Sequence, residues 1–347
     1  MGCTINVCVA MVKDSTRLVQ LFHPQQKRRI AMVNGHSLVL IQKVNSIYEL
    51  ALEAIQTKTK ISDLAKSYLS PTVLDYDSVY HGHPEWKLLP SFDHPRNPCG
   101  CIVSGTGLTH KNSALNRQMM HRSAEDKPTD SLVMYQWGVE GGFPSKGMIG
   151  TQPEWFYKGT GVSLRAHGES LEIPAFGNDG GEEPEVAGAY VVDSEGNPWR
   201  IGFTTGNEFS DHMMEKKNYL YLAPSKLRQC AIGPELVVDM PFDEFDGIVT
   251  IVRQGQPLWG SEIKSGEKNM AHSLENLEYH HFKYPGHRVP FLAHVHFYGA
   301  DAFSFGNGIK LQDGDRMRVQ WNGLGRALEN PLQVSKEREK MIEVRSL

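Results

Sequence analysis

The chain has 347 residues, of which 40% are apolar and 22% charged, and its formal net charge at pH 7 is −4. This apolar content is enough for a buried core, and the length suits one large and one small domain. A slightly acidic chain does not attract nucleic acid, and no segment approaches the roughly 18 apolar residues of a membrane helix. We therefore expect neither nucleic acid nor a membrane as a partner.

The five cysteines are odd in number and irregularly spaced, which is not the pattern of a disulfide framework. They are Cys3, Cys8, Cys99, Cys101 and Cys230. The first residues also lack the basic segment and apolar run of a signal peptide. These features predict a cytoplasmic protein. Because no second pair accompanies Cys99 and Cys101, two small buried residues are favoured over a zinc site there.

Residues 1–90 are predicted to form a small N-terminal α/β domain, which is within the usual size range. Apolar spacing predicts strands at 5–12, 28–33 and 37–44 and helices at 46–57 and 61–69. Asn34 and Gly35 can both adopt a positive φ, which predicts a hairpin between the second and third strands. Pro71 ends the second helix, because the residue before a proline avoids the helical conformation.

Residues 91–347 are predicted to form a second, β-rich domain, so that the expected fold class is α+β. A core strand at 101–104 leads into the sequence G-T-G-L-T-H at 105–110. Residues 111–122 are predicted to be a short helix or a lid, because a mobile segment beside a glycine hinge suits a closing cover. Many short strands follow, with the clearest at 189–192, 199–204, 247–253, 292–297 and 316–321, and helices at 211–218 and 272–280.

Two glutamates, Glu183 and Glu185, stand one residue apart where an apolar strand begins. Residues i and i+2 of a strand point to the same face, so the two carboxylates repel each other unless a cation lies between them. A divalent, oxygen-binding ion fits that requirement, and Glu208 offers a third carboxylate about twenty residues later. The alternative is that Glu182, Glu183 and Glu185 form a solvated acidic loop.

Four short motifs follow one another along the chain: E-P-E at 183–185, G-N-E-F-S at 206–210, S-K at 225–226 and G-P at 233–234. This order resembles the fumarylacetoacetate hydrolase (FAH) superfamily, whose pattern is E-x-E, N-D-x-S or N-D-x-T, a lysine, and G-P. The resemblance covers residues 88–332. The words G-T-G-L-T-H and G-N-E-F-S-D-H are most similar to its sugar-acid branch, which includes GguC-type and 2-keto-3-deoxy sugar acid dehydratase-like proteins.

The resemblance implies an FAH-type β-roll in the C-terminal domain, a Mg²⁺ or Mn²⁺ ion, a small 2-oxo acid substrate and a homodimer. It implies that Glu183, Glu185 and Glu208 are the metal ligands, although the family usually has Asp in place of Glu208. Lys226 matches the family's active-site lysine, which would act as a general base or as a cation that stabilises an enolate. Lys158 would bind the substrate carboxylate; alternatively, its charge reaches solvent along its apolar stem.

The sequence departs from the family's C–C hydrolases at the segment after Gly107. Their water-activating H-x-x-E pair falls here on Ser113 and Asn116, so the pair is absent. Residues 109–113 instead resemble the T-Y-x-x-S sequence of the sugar-acid dehydratases, with His110 in place of Tyr. Thr109 would then bind substrate, and His110 or Ser113 would assist loss of a hydroxyl group.

Two further positions bear on the substrate. Ala300 replaces the family's usual threonine, which removes a hydroxyl contact worth about 1 kcal/mol. Asp211 would line the pocket beside His212 and Arg228; the alternative is that Asp211 caps a helix. His294 and His296 share a strand face, as either a zinc site or a hydrogen-bonded part of the core.

We therefore predict a metal-dependent hydro-lyase that dehydrates a 2-keto-3-deoxy sugar acid of the pentonate type in a non-phosphorylative sugar catabolic pathway. One alternative is a C–C bond hydrolase or decarboxylase that acts on a diketo acid. The other is a non-catalytic sugar-acid binding protein.

Overall fold

The structure is a computed structural model that describes residues 15–121 and 129–347. The predicted strand at 5–12, with Cys3 and Cys8, lies outside these residues. Cys99, Cys101 and Cys230 are free thiols. Cys101 is buried as predicted, but Cys99 is exposed, so the prediction that both are buried is wrong for Cys99. In the two described ranges, no helix combines the length and the apolar character needed to cross a membrane.

The described residues form many strands and a smaller number of helices. The strands are β1 (Thr16–His23), β2 (Lys27–Asn34), β3 (Ser37–Ile41), β4 (Leu69–Asp75), β5 (Lys87–Leu88), β6 (Cys101–Gly105), β7 (Phe156–Thr160), β8 (Leu164–Arg165), β9 (Leu171–Ile173), β10 (Pro184–Val192), β11 (Pro198–Asn207), β12 (Cys230–Val238), β13 (Phe245–Arg253), β14 (Gln256–Ser265), β15 (Ala293–Phe297), β16 (Arg316–Trp321) and β17 (Leu328–Val334). The helices are α1 (Ile47–Thr57), α2 (Ile61–Ser67), α3 (Tyr76–Gly82), α4 (Lys111–His121), α5 (Asp130–Gly141), α6 (His212–Lys217), α7 (Leu222–Lys226) and α8 (Leu274–Phe282).

One large mixed sheet organises the fold, with the order β4-β3-β2-β1-β12-β11-β10-β15-β6-β7. A smaller sheet has the order β14-β13-β16-β17-β9. Every residue of β10 is buried, as expected for a nearly continuous apolar run that is covered on both faces. The predicted sheet-rich mixture of strands and helices is confirmed.

The elements near the N-terminus agree with the prediction in part. β2 and β3 form the predicted hairpin, with Gly35 at φ +58°, and α1 begins after Ser46, whose hydroxyl accepts from the Glu49 N–H. β1, β4 and α3 were not predicted. Because β1 pairs with β12, the large sheet continues across the domain boundary predicted at residue 90, and that boundary stays a prediction.

Two helices follow the glycine-rich turn after β6. α4 is the helix predicted at 111–122, whereas α5 was not predicted, because its apolar residues lack a helical period. Gly138 lets α5 pack closely against the residues that precede α8, since a Cβ at that position would lie 2.5 Å from His272 Nε2. The turn and α4 carry Thr109, His110 and Ser113.

Candidate metal and catalytic site

Three buried carboxylates meet where β10 begins and β11 ends. Pro184 pairs with Asn207, so Glu183 and Glu208 flank the paired strand ends, and the Glu208 N–H donates to the Glu183 carbonyl at 2.9 Å. Glu183, Glu185 and Glu208 are at most 7% exposed and each offers an oxygen within 4.8 Å of the others. The structure therefore brings together the three acids that were predicted as ligands.

The motif around Glu208 fixes the direction of its side chain. The Asn207 side-chain carbonyl accepts from the Glu183 and Phe209 N–H groups, both at 3.3 Å. The Ser210 hydroxyl lies 3.0 and 3.2 Å from the two Glu208 carboxylate oxygens. These bonds explain why an asparagine and a serine flank the acid.

Glu182 is also buried, which excludes the solvated acidic loop that the sequence left open. Its two carboxylate oxygens accept from the Ser304 N–H at 2.6 Å and from the Ser304 hydroxyl at 2.8 Å. Burial raises the pKa of Glu182. Glu182 thus anchors the segment after β15, while Glu183 and Glu185 face the cluster.

Cationic side chains approach two of the three clustered acids. The Lys226 ammonium lies 2.5 Å from both Glu183 and Glu208. Lys158 lies 2.7 Å from Glu208 and donates to the Phe209 carbonyl at 2.6 Å. Lys158 is buried, so the predicted alternative of a charge that reaches solvent is wrong.

The pKa values reflect this unequal pairing. Burial would raise the pKa of Glu183, but Lys226 and His212 outweigh it, so the pKa lies well below its usual range. Burial, with Glu208 and Glu183 nearby, raises the pKa of Glu185 well above its usual range. Burial raises the pKa of Glu208 and outweighs its two lysines. Lys226 has a raised pKa, because Glu183 and Glu208 outweigh the lowering effect of burial.

Glu185 is the member of the cluster whose charge is least compensated. In the described part of the chain, no cationic side chain lies within 4.0 Å of it, and one carboxylate oxygen accepts from the Gly299 N–H at 2.6 Å. Three carboxylates that converge with an unmet negative charge form the hard oxygen donor set that Mg²⁺ and Mn²⁺ prefer. The residues present therefore fit the predicted cation.

His212 is a second partner of the Glu183 carboxylate oxygen that Lys226 contacts. Its Nε2 lies 3.0 Å from Glu183, and its ring stacks on Phe303 at 5.0 Å between centroids. Burial would lower the pKa of His212, but the Glu183 carboxylate outweighs it and the pKa is raised. A Cβ on Gly181 would lie 2.6 Å from His212 Nδ1, which explains a glycine before the acidic run.

The residues predicted near the lid are buried as well. The Thr109 hydroxyl donates to the Tyr298 carbonyl at 2.6 Å and lies 2.9 Å from His110 Nδ1. His110 is 1% exposed, and burial lowers its pKa to about 3. Ser113 is buried in the first turn of α4. Thr109 therefore contacts the segment that follows β15.

Asp211 and Ala300 have mainly local surroundings. Asp211 caps α6 by accepting from the Met214 N–H at 2.8 Å, and its other oxygen pairs with Arg228 at 3.0 Å. The helix cap, left open by the sequence, is therefore present, and a substrate role for Asp211 stays a prediction. Ala300 is buried and follows Gly299.

An ion network around Arg117 was not predicted. Arg117 of α4 lies 2.8 Å from Glu154 and 2.6 Å from Glu215, and all three side chains are buried. It ties α4 to α6, the helix that follows the Glu208 motif. The three residues are 37 and 61 positions apart from one another along the chain, so no local pattern could have linked them.

The two histidines of β15 belong to the core. The His296 ring nitrogens lie 2.9 Å from the Ser104 hydroxyl and 2.6 Å from the Thr106 hydroxyl. His294 Nδ1 lies 3.0 Å from His281 Nε2. Among the described residues, the cluster with metal-ligand geometry is the acid triad, so the hydrogen-bonded alternative is the one observed.

Two curated sugar-acid dehydratases are similar in sequence to part of the chain. No protein-family model matches the chain. It is 30% identical over 122 residues, 33% of this chain and 39% of the relative, to 2-dehydro-3-deoxy-D-arabinonate dehydratase of Saccharolobus solfataricus. It is 27% identical over 179 residues, 50% of this chain and 58% of the relative, to a probable 2-keto-3-deoxyxylonate dehydratase of Haloferax volcanii. The matches thus span well under two thirds of these curated relatives.

A solved structure resembles nearly the whole chain. It is 2-keto-3-deoxy-D-arabinonate dehydratase complexed with magnesium and 2,5-dioxopentanoate, with a TM-score of 0.68 and 18% identity. The similarity covers 92% of this chain and 100% of that one, so the two proteins share a fold. Together these similarities confirm the resemblance to the sugar-acid branch of the FAH superfamily.

Proposed function

We propose that the protein is a Mg²⁺- or Mn²⁺-dependent dehydratase of a 2-keto-3-deoxy sugar acid, with a pentonate as the first candidate. The observation that carries the proposal is the buried convergence of Glu183, Glu185 and Glu208 beside Lys226. The names of the curated relatives support the substrate class. The pathway would be a non-phosphorylative one, because the substrate carries no phosphate.

Glu183, Glu185 and Glu208 would hold the cation through carboxylate oxygens. When bound, the cation would supply Lewis acidity that polarises the 2-oxo group and acidifies the neighbouring C3–H bond. Lys226 donates to two of these acids, so its ammonium lies where negative charge from the loss of the C3 proton would develop. Lys158 neutralises Glu208 from the other side, and we propose that it also attracts the substrate carboxylate.

The reaction removes one C3 proton and the C4 hydroxyl as water. This leaves a C3=C4 double bond beside the 2-oxo group and a hydroxyl on C5. A proton shift from C5 to C3 then gives a C4=C5 enol, which tautomerises to the aldehyde, so that a 2-keto-3-deoxypentonate gives 2,5-dioxopentanoate with all five carbons retained. Ser113 occupies the position of the hydrolases' histidine, and a hydroxyl in that place suits hydrogen bonding to a leaving group better than activation of water. Thr109, His110, Asp211 and Ala300 complete the proposed surroundings of the substrate.

The test is product analysis with purified protein and Mg²⁺. We expect 2-keto-3-deoxypentonates to give 2,5-dioxopentanoate, EDTA to abolish the reaction and added Mg²⁺ to restore it. Acylpyruvates test the alternative, because C–C cleavage would release two smaller acids. Cleavage of acylpyruvates without dehydration of any 2-keto-3-deoxy acid would overturn the proposal in favour of a hydrolase.

We further propose a division into a small N-terminal domain, residues 1–90, and a β-roll catalytic domain, residues 91–347. One apolar cluster supports the division, since its buried members all come from positions 19–88, namely Val19, Leu21, Ala31, Val33, Leu38, Leu40, Tyr76, Val79, Trp86 and Leu88. The buried residues of α1 instead pack in a core shared with the C-terminal part of the chain. We also propose a cytoplasmic homodimer. The free thiols at Cys99, Cys101 and Cys230 agree with a reducing compartment.

A further inference from the structure

A chain of hydrogen bonds connects His110 with the acid cluster. His110 Nδ1 lies 2.9 Å from the Thr109 hydroxyl oxygen, and that oxygen lies 2.6 Å from the Tyr298 carbonyl oxygen. The same peptide unit continues with the Gly299 N–H, which donates to Glu185 at 2.6 Å. Five residues from three separate parts of the sequence are therefore joined in one line.

Counting protons along this line fixes the roles of donor and acceptor. A threonine hydroxyl has one hydrogen, and a carbonyl oxygen can only accept. Thr109 therefore donates its hydroxyl hydrogen to the Tyr298 carbonyl. The Thr109 hydroxyl oxygen must then accept a hydrogen bond from His110 Nδ1–H. A neutral imidazole carries one N–H, so Nε2 is left with a bare lone pair.

The surroundings of His110 favour the neutral ring. It is 1% exposed, and burial lowers its pKa to about 3. The chain of hydrogen bonds is also tightly packed around Gly299. This residue has φ +99°, and a Cβ there would lie 2.1 Å from the Thr109 hydroxyl oxygen. Each donor points toward Glu185, so the bonds polarise one another in the same direction.

His110 Nε2 has no hydrogen-bond partner within the described residues. A buried acceptor without a donor is rare in folded proteins and is costly to maintain. His110 follows Thr109 directly in the chain. Its Nε2 atom therefore belongs to the segment that hydrogen bonds connect to the acid cluster. A ligand that brings a hydroxyl group would satisfy it.

We propose that His110 is a specificity-determining acceptor whose Nε2 receives a hydrogen bond from a hydroxyl group of the substrate, and that Thr109 is the positioning residue that fixes its tautomer. The choice of ligand rests on the proposed function, because sugar acids carry hydroxyl groups that simple 2-oxo acids lack. In this arrangement His110 does not donate a proton to the leaving C4 hydroxyl. That role falls to Ser113.

The tautomer is tested without turnover, by ¹⁵N NMR of protein labelled at the histidine rings. The signals lost in His110→Gln identify His110, and we expect them to show a protonated Nδ1 and a bare Nε2. Thr109→Ser should keep this pattern and Thr109→Val should change it. Thr205→Val is the matched control, because Thr205 is a buried threonine whose hydroxyl has no partner among the residues that the structure describes. A protonated Nε2 in the unaltered protein would overturn the assignment.

The ligand is tested by competition binding of a 2-keto-3-deoxypentonate and of 2-oxopentanoate, which lacks the hydroxyl groups. We expect His110→Phe to reduce the preference for the hydroxylated acid by about three- to tenfold, the effect of one neutral hydrogen bond, with little change for 2-oxopentanoate. An unchanged preference would overturn the specificity role and leave the proposed dehydration standing. If the unaltered protein has the expected His110 tautomer but does not dehydrate 2-keto-3-deoxypentonates, that result would instead count against the proposed function alone.

Discussion

The large sheet carries two pairs of like side chains at i and i+2, and they have opposite electrostatic character. Glu183 and Glu185 stand at the start of β10, and His294 and His296 lie on the neighbouring β15. The acids meet beside two lysines, and burial, with Glu208 and Glu183 nearby, raises the pKa of Glu185 well above its usual range. The histidines are neutral, because burial lowers the pKa of each to about 3.

The difference teaches that spacing alone does not define a site. Both pairs are buried, yet each histidine ring forms hydrogen bonds within the core, while the three acids repel one another and attract a cation. What separates the two pairs is charge, since the neutral histidines need no counter-ion, although His294 Nε2 has no hydrogen-bond partner among the described residues. The experiments below alter the two clusters in turn.

The largest effect is expected from Glu185→Gln. The amide keeps the shape of the side chain but removes the charge that no cationic side chain compensates. Loss of a residue that only hydrogen-bonds to a metal ligand lowers activity roughly 10- to 100-fold, so loss of a ligand should lower the dehydration rate by more than that. The free energy of unfolding without divalent ions should not decrease, because repulsion from Glu183 and Glu208 is relieved. Turnover with Mg²⁺ and urea unfolding with EDTA measure the two effects. Glu262→Gln, on exposed β14, is the control, and equal losses in the two variants would contradict the assignment.

Lys226→Met should separate the ammonium from the divalent ion. Removing one partner of a buried ion pair costs about 3–5 kcal/mol, so the variant should be destabilised in EDTA. Because Lys226 and the cation share Glu183 and Glu208, Mg²⁺ should stabilise the variant more than the unaltered protein. Urea unfolding with and without Mg²⁺ measures both.

Lys264→Met serves as the control for that experiment, since Lys264 forms an exposed pair with Asp246 worth at most about 1 kcal/mol. If Mg²⁺ raised the stability of Lys226→Met and of the unaltered protein equally, Lys226 and the cation would not share carboxylates.

The histidine cluster should make the fold sensitive to acid. His281, His294 and His296 have lowered pKa values in the folded chain, so below pH 6.5 the unfolded chain binds protons that the folded chain does not. Stability is then lost as the pH falls from about 6.5 towards 3, with about 1.4 kcal/mol per pH unit for each histidine.

Substituting one histidine should lessen this slope. His294→Gln should reduce the pH dependence by about one proton, measured as the free energy of unfolding in urea between pH 7 and pH 5. His36→Gln, at an exposed site, is the control and should leave the slope unchanged. A slope that survived His294→Gln would mean that His294 is charged in the folded state.

The smallest effect is expected from Ala300→Thr, which introduces the hydroxyl that the FAH pattern leads us to expect at this position. One added hydrogen bond is worth about 1 kcal/mol, so KM for the preferred sugar acid should change by less than about tenfold. Kinetics with two stereoisomers and the unfolding midpoint are measured together. A large fall in stability with unchanged KM would indicate overpacking rather than a substrate contact.

The sequence predicted the parts of the site that depend on residues close together in the chain. The spacing of Glu183 and Glu185, and the motif around Glu208, predicted an acid cluster that the structure brings together. Helix α1 was predicted because its apolar residues have a clear period and Ser46 supplies a cap. In each case neighbours in the sequence determine the structure.

The parts that were missed depend on distant partners. Lys158 binds Glu208 from fifty positions away, and Arg117 is paired with Glu154 and Glu215 across two other elements. β1 was not predicted because both of its faces are covered, and β12, its partner, lies more than 200 residues later. Such contacts are set by the topology of the sheet, which single-sequence periodicity does not contain.

The backbone bond between Glu208 and Glu183 has a consequence for the choice of ion. It fixes two carboxylates on paired strand ends within a fully buried part of the sheet. Mg²⁺ and Mn²⁺ need a small octahedral shell, whereas Ca²⁺ needs longer bonds and more ligands, which requires a frame that can widen. Because a main-chain hydrogen bond holds these two residues, widening the site would be costly, and we expect it to prefer Mg²⁺ and Mn²⁺ over Ca²⁺.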